Sequence, residues 1–141
     1  MVDDLFNLKG RVSIELNGQI VQEIDNLVVT AGKVFVASRM EDASATAMSH
    51  MAVGTNATAA AAGDTALGTE SARVTLTSTT ASTNTIVYVA TFPAGTGTAA
   101  LTEAGILNAS SSGTLLCRTV FTTINKGSAD AMTVTWTITV S

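Results

Sequence analysis

Cysteine, proline, histidine, tryptophan and tyrosine each occur once in these 141 residues, and only 13% of the chain is charged. Each scarcity removes a class of function. The lone Cys117 excludes an internal disulfide and a cysteine-based zinc site. It lies in the apolar run TLLCRTV and reads as a buried, inert thiol rather than a nucleophile. A zinc site rich in histidine is excluded as well, because His50 stands alone. His50 lies between Met48 and Met51 in a predicted strand and reads as a packed or edge-exposed side chain. Aromatics amount to 4%, too few to line a carbohydrate-processing cleft. The seven lysines and arginines are scattered from Lys9 to Lys126, and the net charge is −4. Phosphate backbones need clustered cations, so nucleic-acid binding is disfavoured. No apolar run approaches the ~18 residues of a membrane-crossing helix. No basic-plus-apolar leader opens the chain, from which synthesis in a reducing cytoplasm is expected. NAT at Asn56 and NAS at Asn108 match the glycosylation pattern and carry no weight without a secretion signal.

What is abundant is threonine, serine and alanine, arranged with a period of two. In AMTVTWTITV the even positions Met132, Val134, Trp136, Ile138 and Val140 are apolar, and every odd position from Thr133 to Thr139 is threonine. A strand sends those two sets to opposite faces, giving one core face and one β-branched hydroxyl face. RVSIEL alternates in the same way. It is followed by Asn17-Gly18, both tolerant of positive φ, and then by QIVQEID, which together predict a two-residue hairpin. Further strands are predicted at 47–54, 72–78, 85–92, 101–108 and 114–121, the last two joined by ASSSG. TAGKVFVASRM breaks the alternation and predicts one short helix over about 30–40, with Thr30 as its N-cap. The expected fold is all-β: an antiparallel β-sandwich or jelly-roll-like barrel of seven to nine strands with that one helix. Residues 10–141 form a single domain, and 1–9 an N-terminal arm or additional edge strand; deleting residues 1–8 is expected to leave the fold intact.

The long loop in HMAVGTNATAAAAGDTALGTE invites a search for chemistry. Gly54, Gly63 and Gly68 are too widely spaced for a phosphate-cradling loop, and no lysine comes after them. Gly63 reads as a turn residue of unusual φ, Asp64 as a cap for the segment after it, and TALG as one helical turn. Asp64 and Glu70 alone make a poor calcium loop. The carboxylates, Glu103 among them, read as solvated loop charges. Trp136 reads as core. Arg118, on the face of its strand opposite Cys117, is placed to reach across a subunit interface. No catalytic, cofactor-binding or metal-binding residue emerges, and the reading is of a protein that is not an enzyme. The candidate contact residues are Leu5, Phe6 and Leu8 of the arm, Asp64 and Leu67 of the long loop, and Arg118.

Several runs, MSHMAVGT…AAGDTALGTE, RVTLTSTT, ATFPAGTGTAALTEAGILNA and GTLLCRTVF…NKGSAD, resemble a group of small structural proteins of tailed bacteriophages. The resemblance spans about residues 8–140, and the size and strand pattern resemble podophage head cement (decoration) proteins. It implies a non-enzymatic virion component on the capsid surface. Its partners would be the major capsid protein and itself, as a homodimer first and a trimer second. No cofactor, nucleic acid or membrane is implied. A tail-fibre, collar or baseplate module is the alternative, and a carbohydrate- or host-receptor-binding β-sandwich the second.

Overall fold

The computed structural model describes residues 7–41 and 45–141. The period-two segments become antiparallel strands. Among the described residues there are nine, β1 (Leu8–Leu16), β2 (Gln19–Val28), β3 (His50–Gly54), β4 (Glu70–Thr75), β5 (Ser78–Ser82), β6 (Thr85–Phe92), β7 (Ala99–Leu107), β8 (Leu115–Lys126) and β9 (Met132–Val140). One helix, α1 (Thr30–Glu41), lies between β2 and β3. The strands hydrogen-bond in the order β4-β3-β7-β8-β2-β1-β9-β6-β5, which curls into two leaves. β5, β6, β9, β1 and β2 make the first leaf, and β2, β8, β7, β3 and β4 the second.

A strand that changes leaf makes one corner and a two-residue connection makes the other. β2 pairs along its length with β1 and then, at Leu27 and Val28, with β8. On the other side β4 ends one edge of the sheet and β5 the other, although only Leu76 and Thr77 separate them. Leu76 N–H donates to Ser49 O at 2.9 Å, and Thr77 N–H to Val89 O at 2.7 Å. The chain thereby steps from one leaf to the other within two residues.

The core fills the space between the leaves. Trp136 is fully buried in β9, opposite Val12 of β1 and Tyr88 of β6. It packs in one cluster with Ile14, Phe92 and Val134 of its own leaf and Met51, Ile106 and Cys117 of the other. At roughly 25 cal/mol per Å² of apolar surface, each such side chain contributes about 2–3 kcal/mol. The hairpin turn occurs at Asn17 (φ 52) and Gly18 (φ 82). The Asn17 amide donates to Asp130 Oδ1 at 2.9 Å, and Ala131 N–H donates to Asn17 Oδ1 at 3.0 Å, which clasps this turn to the one before β9. The Asn17 bond, with the Gly127 N–H, holds the Asp130 carboxyl below its ordinary range.

Several expectations need correction. Leu8 is not on a free arm: it is half-buried in β1 and pairs with Val140, and β1 lies inside the sheet between β2 and β9. Asn7 and Ser141 exchange main-chain bonds of 2.6 and 2.9 Å, so removing residues 7 and 8 cuts into the sheet. Leu5 and Phe6 lie outside the described residues. The helix begins with Val29 O accepting from Lys33 N–H, while the Thr30 N–H is taken by Ala62 O of the long loop. Main-chain contact with that loop therefore replaces the expected Thr30 cap. TALG is not helical, and Gly63 is not among the positive-φ residues. β5, STTAS, has no alternation and is exposed throughout, which is why period-two reasoning does not find it.

Candidate functional site

The two leaves treat their outer faces differently. On the second leaf, register puts His50, Ala52 and Gly54 of β3 beside Leu107, Gly105 and Glu103 of β7, with Leu115 and Arg118 of β8 beyond. The small residues leave a trough along the centre of this face, and the 55–69 loop lies in it. A Cβ on Gly54 would stand 2.2 Å from Thr69 O, and one on Gly105 would stand 2.9 Å from Leu67 Cδ2. Leu67, only 8% exposed, packs with Ala52, Leu107, Leu115 and Val29 in a second small apolar cluster. Gly32 seats α1 beside it, since a Cβ there would meet Leu116 O at 2.1 Å.

Arg118 fastens the loop. Its guanidinium donates to Asp64 Oδ2 at 3.0 Å, Thr58 O at 3.0 Å, Glu103 Oε2 at 3.3 Å and Asn56 Oδ1 at 3.4 Å. Glu103, fully buried, also accepts from Thr69 N–H at 3.4 Å. Both ends of the loop are thus tied to one ion-paired centre. Asp64 folds back as well, accepting from Ala61 N–H at 2.9 Å, so it caps the turn before it rather than the segment after it. Arg73 of β4 repeats the device on ASSSG: it pairs with Glu70 at 2.7 and 3.0 Å and donates to Ala109 O and Ser112 O.

Three candidate contact residues are therefore brought together, but inside the protomer. Arg118 does lie on the face opposite Cys117, yet it is 3% exposed and its partners belong to its own chain. Asp64 and Leu67 are the loop groups it and the trough hold. Glu103, expected as a solvated loop charge, is instead a fully buried strand residue. The alternation of Glu103, Gly105 and Leu107 is the one signal of this in the sequence, and it is weak because a lone Glu between apolar residues resembles an edge.

Chemically this centre is nearly filled, with the Arg118 Nε–H its one buried donor left without a partner. Its one cation faces two carboxylates, and it contains no nucleophile. Burial pushes the Cys117 thiol well above its usual range, so it stays protonated. His50 Nδ1 lies 2.7 Å from Ser49 Oγ, its sequence neighbour. Among the described residues no three His, Cys, Asp or Glu side chains gather to hold a metal ion, and no helix is long and apolar enough to cross a membrane.

The first leaf presents the contrast. Register aligns Thr133, Thr135, Thr137 and Thr139 of β9 with Thr91, Val89, Val87 and Thr85 of β6. Ser78, Thr80 and Ser82 of β5 extend the same face, and Lys9, Arg11, Ser13 and Glu15 of β1 border it. Thr91 and Thr133 share a hydroxyl bond at 3.1 Å. Charge is confined to the β1–β2 margin, where Arg11 pairs with Asp25 at 3.1 Å and Glu23 at 3.7 Å. No described segment covers this face. No protein-family model, curated protein or solved structure matches the chain.

Proposed function

We propose that this chain is a non-enzymatic structural component of a phage virion, a cement or decoration protein that binds the capsid exterior and clamps neighbouring capsid subunits. The observation that carries the reading is the open threonine, serine and valine face of the first leaf, uncharged across β5, β6 and β9. Hydroxyls on β-branched stems exchange water for a partner's hydrogen bonds at small desolvation cost, and they hold no charge that must be neutralised on covering. The second leaf, closed by its clamped loop, gives that face a stiff backing. The resemblance to small virion proteins supports the same reading. The mechanism is passive: many copies, each burying on the order of 800 Å² per partner, add binding free energy to the mature shell.

The test is co-sedimentation of the purified protein with separated heads and separated tails of the phage that encodes it. Saturable binding to mature heads, near one copy per capsid subunit, is the expected result. Thr135→Asp with Thr137→Asp, which charges the open face without touching the core, should abolish that binding. Attachment to tails alone, or undiminished binding by the double variant, would overturn the capsid role or the face assigned to it.

A further inference from the structure

β2 and β8 are ladder partners for two residues only, Leu27 with Arg118 and Val28 with Cys117. Toward Gln19 the strands separate. β2 keeps β1 on its other side, and β8 keeps β7 as far as Lys126. Each therefore turns an unladdered edge toward the other, over residues 19–24 and 120–126. A cleft of about 480 Å³ lies between them, lined by Leu16, Val21, Gln22, Thr122, Ile124 and Asn125 among others. The β1–β2 register slips by one residue here, and Ile20 and Val21 are exposed beside the opening, at 58% and 45%.

An open seam leaves main-chain donors and acceptors in want of partners. One side chain supplies them. Thr122 N–H donates to Gln22 Oε1 at 3.1 Å, and Gln22 Nε2 donates back to Thr122 O. A carboxamide offers the same donor and acceptor as a peptide unit, so Gln22 occupies the place where the backbone of a further strand would run. Farther along, Thr119 Oγ1 donates to Asp25 O at 2.9 Å. Among the described residues no main-chain bond crosses this part of the seam.

The geometry points to the seam as an acceptor for one extended strand of a partner protein, which enters by β-strand addition and displaces the Gln22 carboxamide. Only extended backbone carries repeated donors and acceptors on both sides, as two facing edges require. Leu16, Val21 and Ile124 call for β-branched apolar side chains on the inward positions. Glu23 and Asp25, with side chains 53% and 83% exposed on β2, share the single guanidinium of Arg11, and the negative charge left over favours a lysine or arginine on the outward ones. The same carboxylates disfavour the acidic Asp3-Asp4 stretch of a second copy. Any protein presenting such a strand qualifies, whether or not it is a capsid subunit.

The probe is a synthetic peptide of about six residues, valine alternating with threonine and a lysine at each end, long enough at ~3.3 Å per residue to span the free edge up to the Thr119–Asp25 bond. It is titrated into the isotope-labelled full-length protein and followed by amide NMR. Gln22→Ala is expected to bind it about tenfold more tightly than wild type, because two existing hydrogen bonds no longer have to be exchanged. Perturbed amides should centre on Val21 and Thr122, and Thr122→Pro, which lacks the donor, should lose binding. Gln22→Glu keeps the acceptor and loses the donor, so it should bind with intermediate affinity; it replaces Gln22→Ala if that variant does not fold. Equal or absent binding by wild type and the Gln22 variants, or perturbations centred on β5, would overturn the assignment. Self-association of Gln22→Ala in sedimentation velocity without peptide would make a second copy the occupant and overturn the partner-strand reading.

Discussion

Two side chains of the interior carry most of what is testable residue by residue. Arg118 and Glu103 are 3% and 0% exposed, and a buried ion is tolerated only while its partner remains. Arg118→Ala leaves the Glu103 carboxylate without its cation and releases Asp64 and Thr58, so it should cost about 3–5 kcal/mol in urea unfolding. Arg118→Met combined with Glu103→Leu removes both charges and should recover most of that loss. If the single variant is as stable as wild type, the pair is not what holds the loop. Tyr88 gives a pH test. Burial, with the neighbouring Cys117 adding to it, pushes its phenol up to about 12 from an ordinary 10. Between those values the unfolded phenol releases its proton and the folded one keeps it. The folded state then binds more protons, and stability falls as pH rises, by about 1.4 kcal/mol per unit. Below that window Tyr88 adds no pH dependence. Denaturant melts from pH 9 to 12 should show this slope added to that of the Cys117 thiol, which burial likewise keeps protonated in the folded state, and Tyr88→Phe should remove the Tyr88 share and leave the Cys117 share.

The elements with regular alternation are legible in the sequence, and those held by long-range contacts are not. β9 is evident from its threonines, the first hairpin from Asn17-Gly18, and α1 from the break in alternation. β5 is hidden because an edge strand with both faces in water needs no apolar member. The clamp is hidden because Arg118, Asp64 and Glu103 meet only after β3, β7 and β8 pair and the loop folds over them; no local spacing encodes that meeting. The glycines show the same limit. Gly63 has the sequence setting of a conformational key for the 55–69 loop, yet nothing lies within 4 Å of a Cβ placed there, whereas at Gly54 the Thr69 carbonyl stands in the way. Gly54→Ala should therefore lift the loop from its trough, costing about 1–3 kcal/mol as overpacking does and loosening the already exposed AAAAG enough for elastase to cut it. Gly63→Ala should leave both stability and cleavage unchanged. Equal effects at the two positions would mean that the loop is not seated through Gly54.

At the scale of the whole molecule, the arrangement depends on how the sheet is closed. Its two end strands, β4 and β5, are neighbours in the chain, and the peptide through Leu76 and Thr77 joins edges that no ladder joins. Asn7 and Ser141 lie side by side through their main-chain bonds, so a short glycine-serine linker from Ser141 to Asn7 permits circular permutation. Opening the ring at 76/77 frees both edges, exposes the Leu76 and Thr77 hydrogen bonds to fraying, and lets the leaves separate on one side. Opening it at 110/111, in the exposed turn between β7 and β8, leaves both corners intact. Relative to a linear chain beginning at Asn7, the 76/77 permutant should lose about 1–3 kcal/mol more than the 110/111 permutant, through those bonds and the larger loop to be closed. Its open face should also lose affinity for whatever it covers, since a face backed by a splayed second leaf must be ordered on binding. Equal stability of the two permutants would show that ladder pairing and core packing alone hold the leaves together, and that the two-residue step is only a connection.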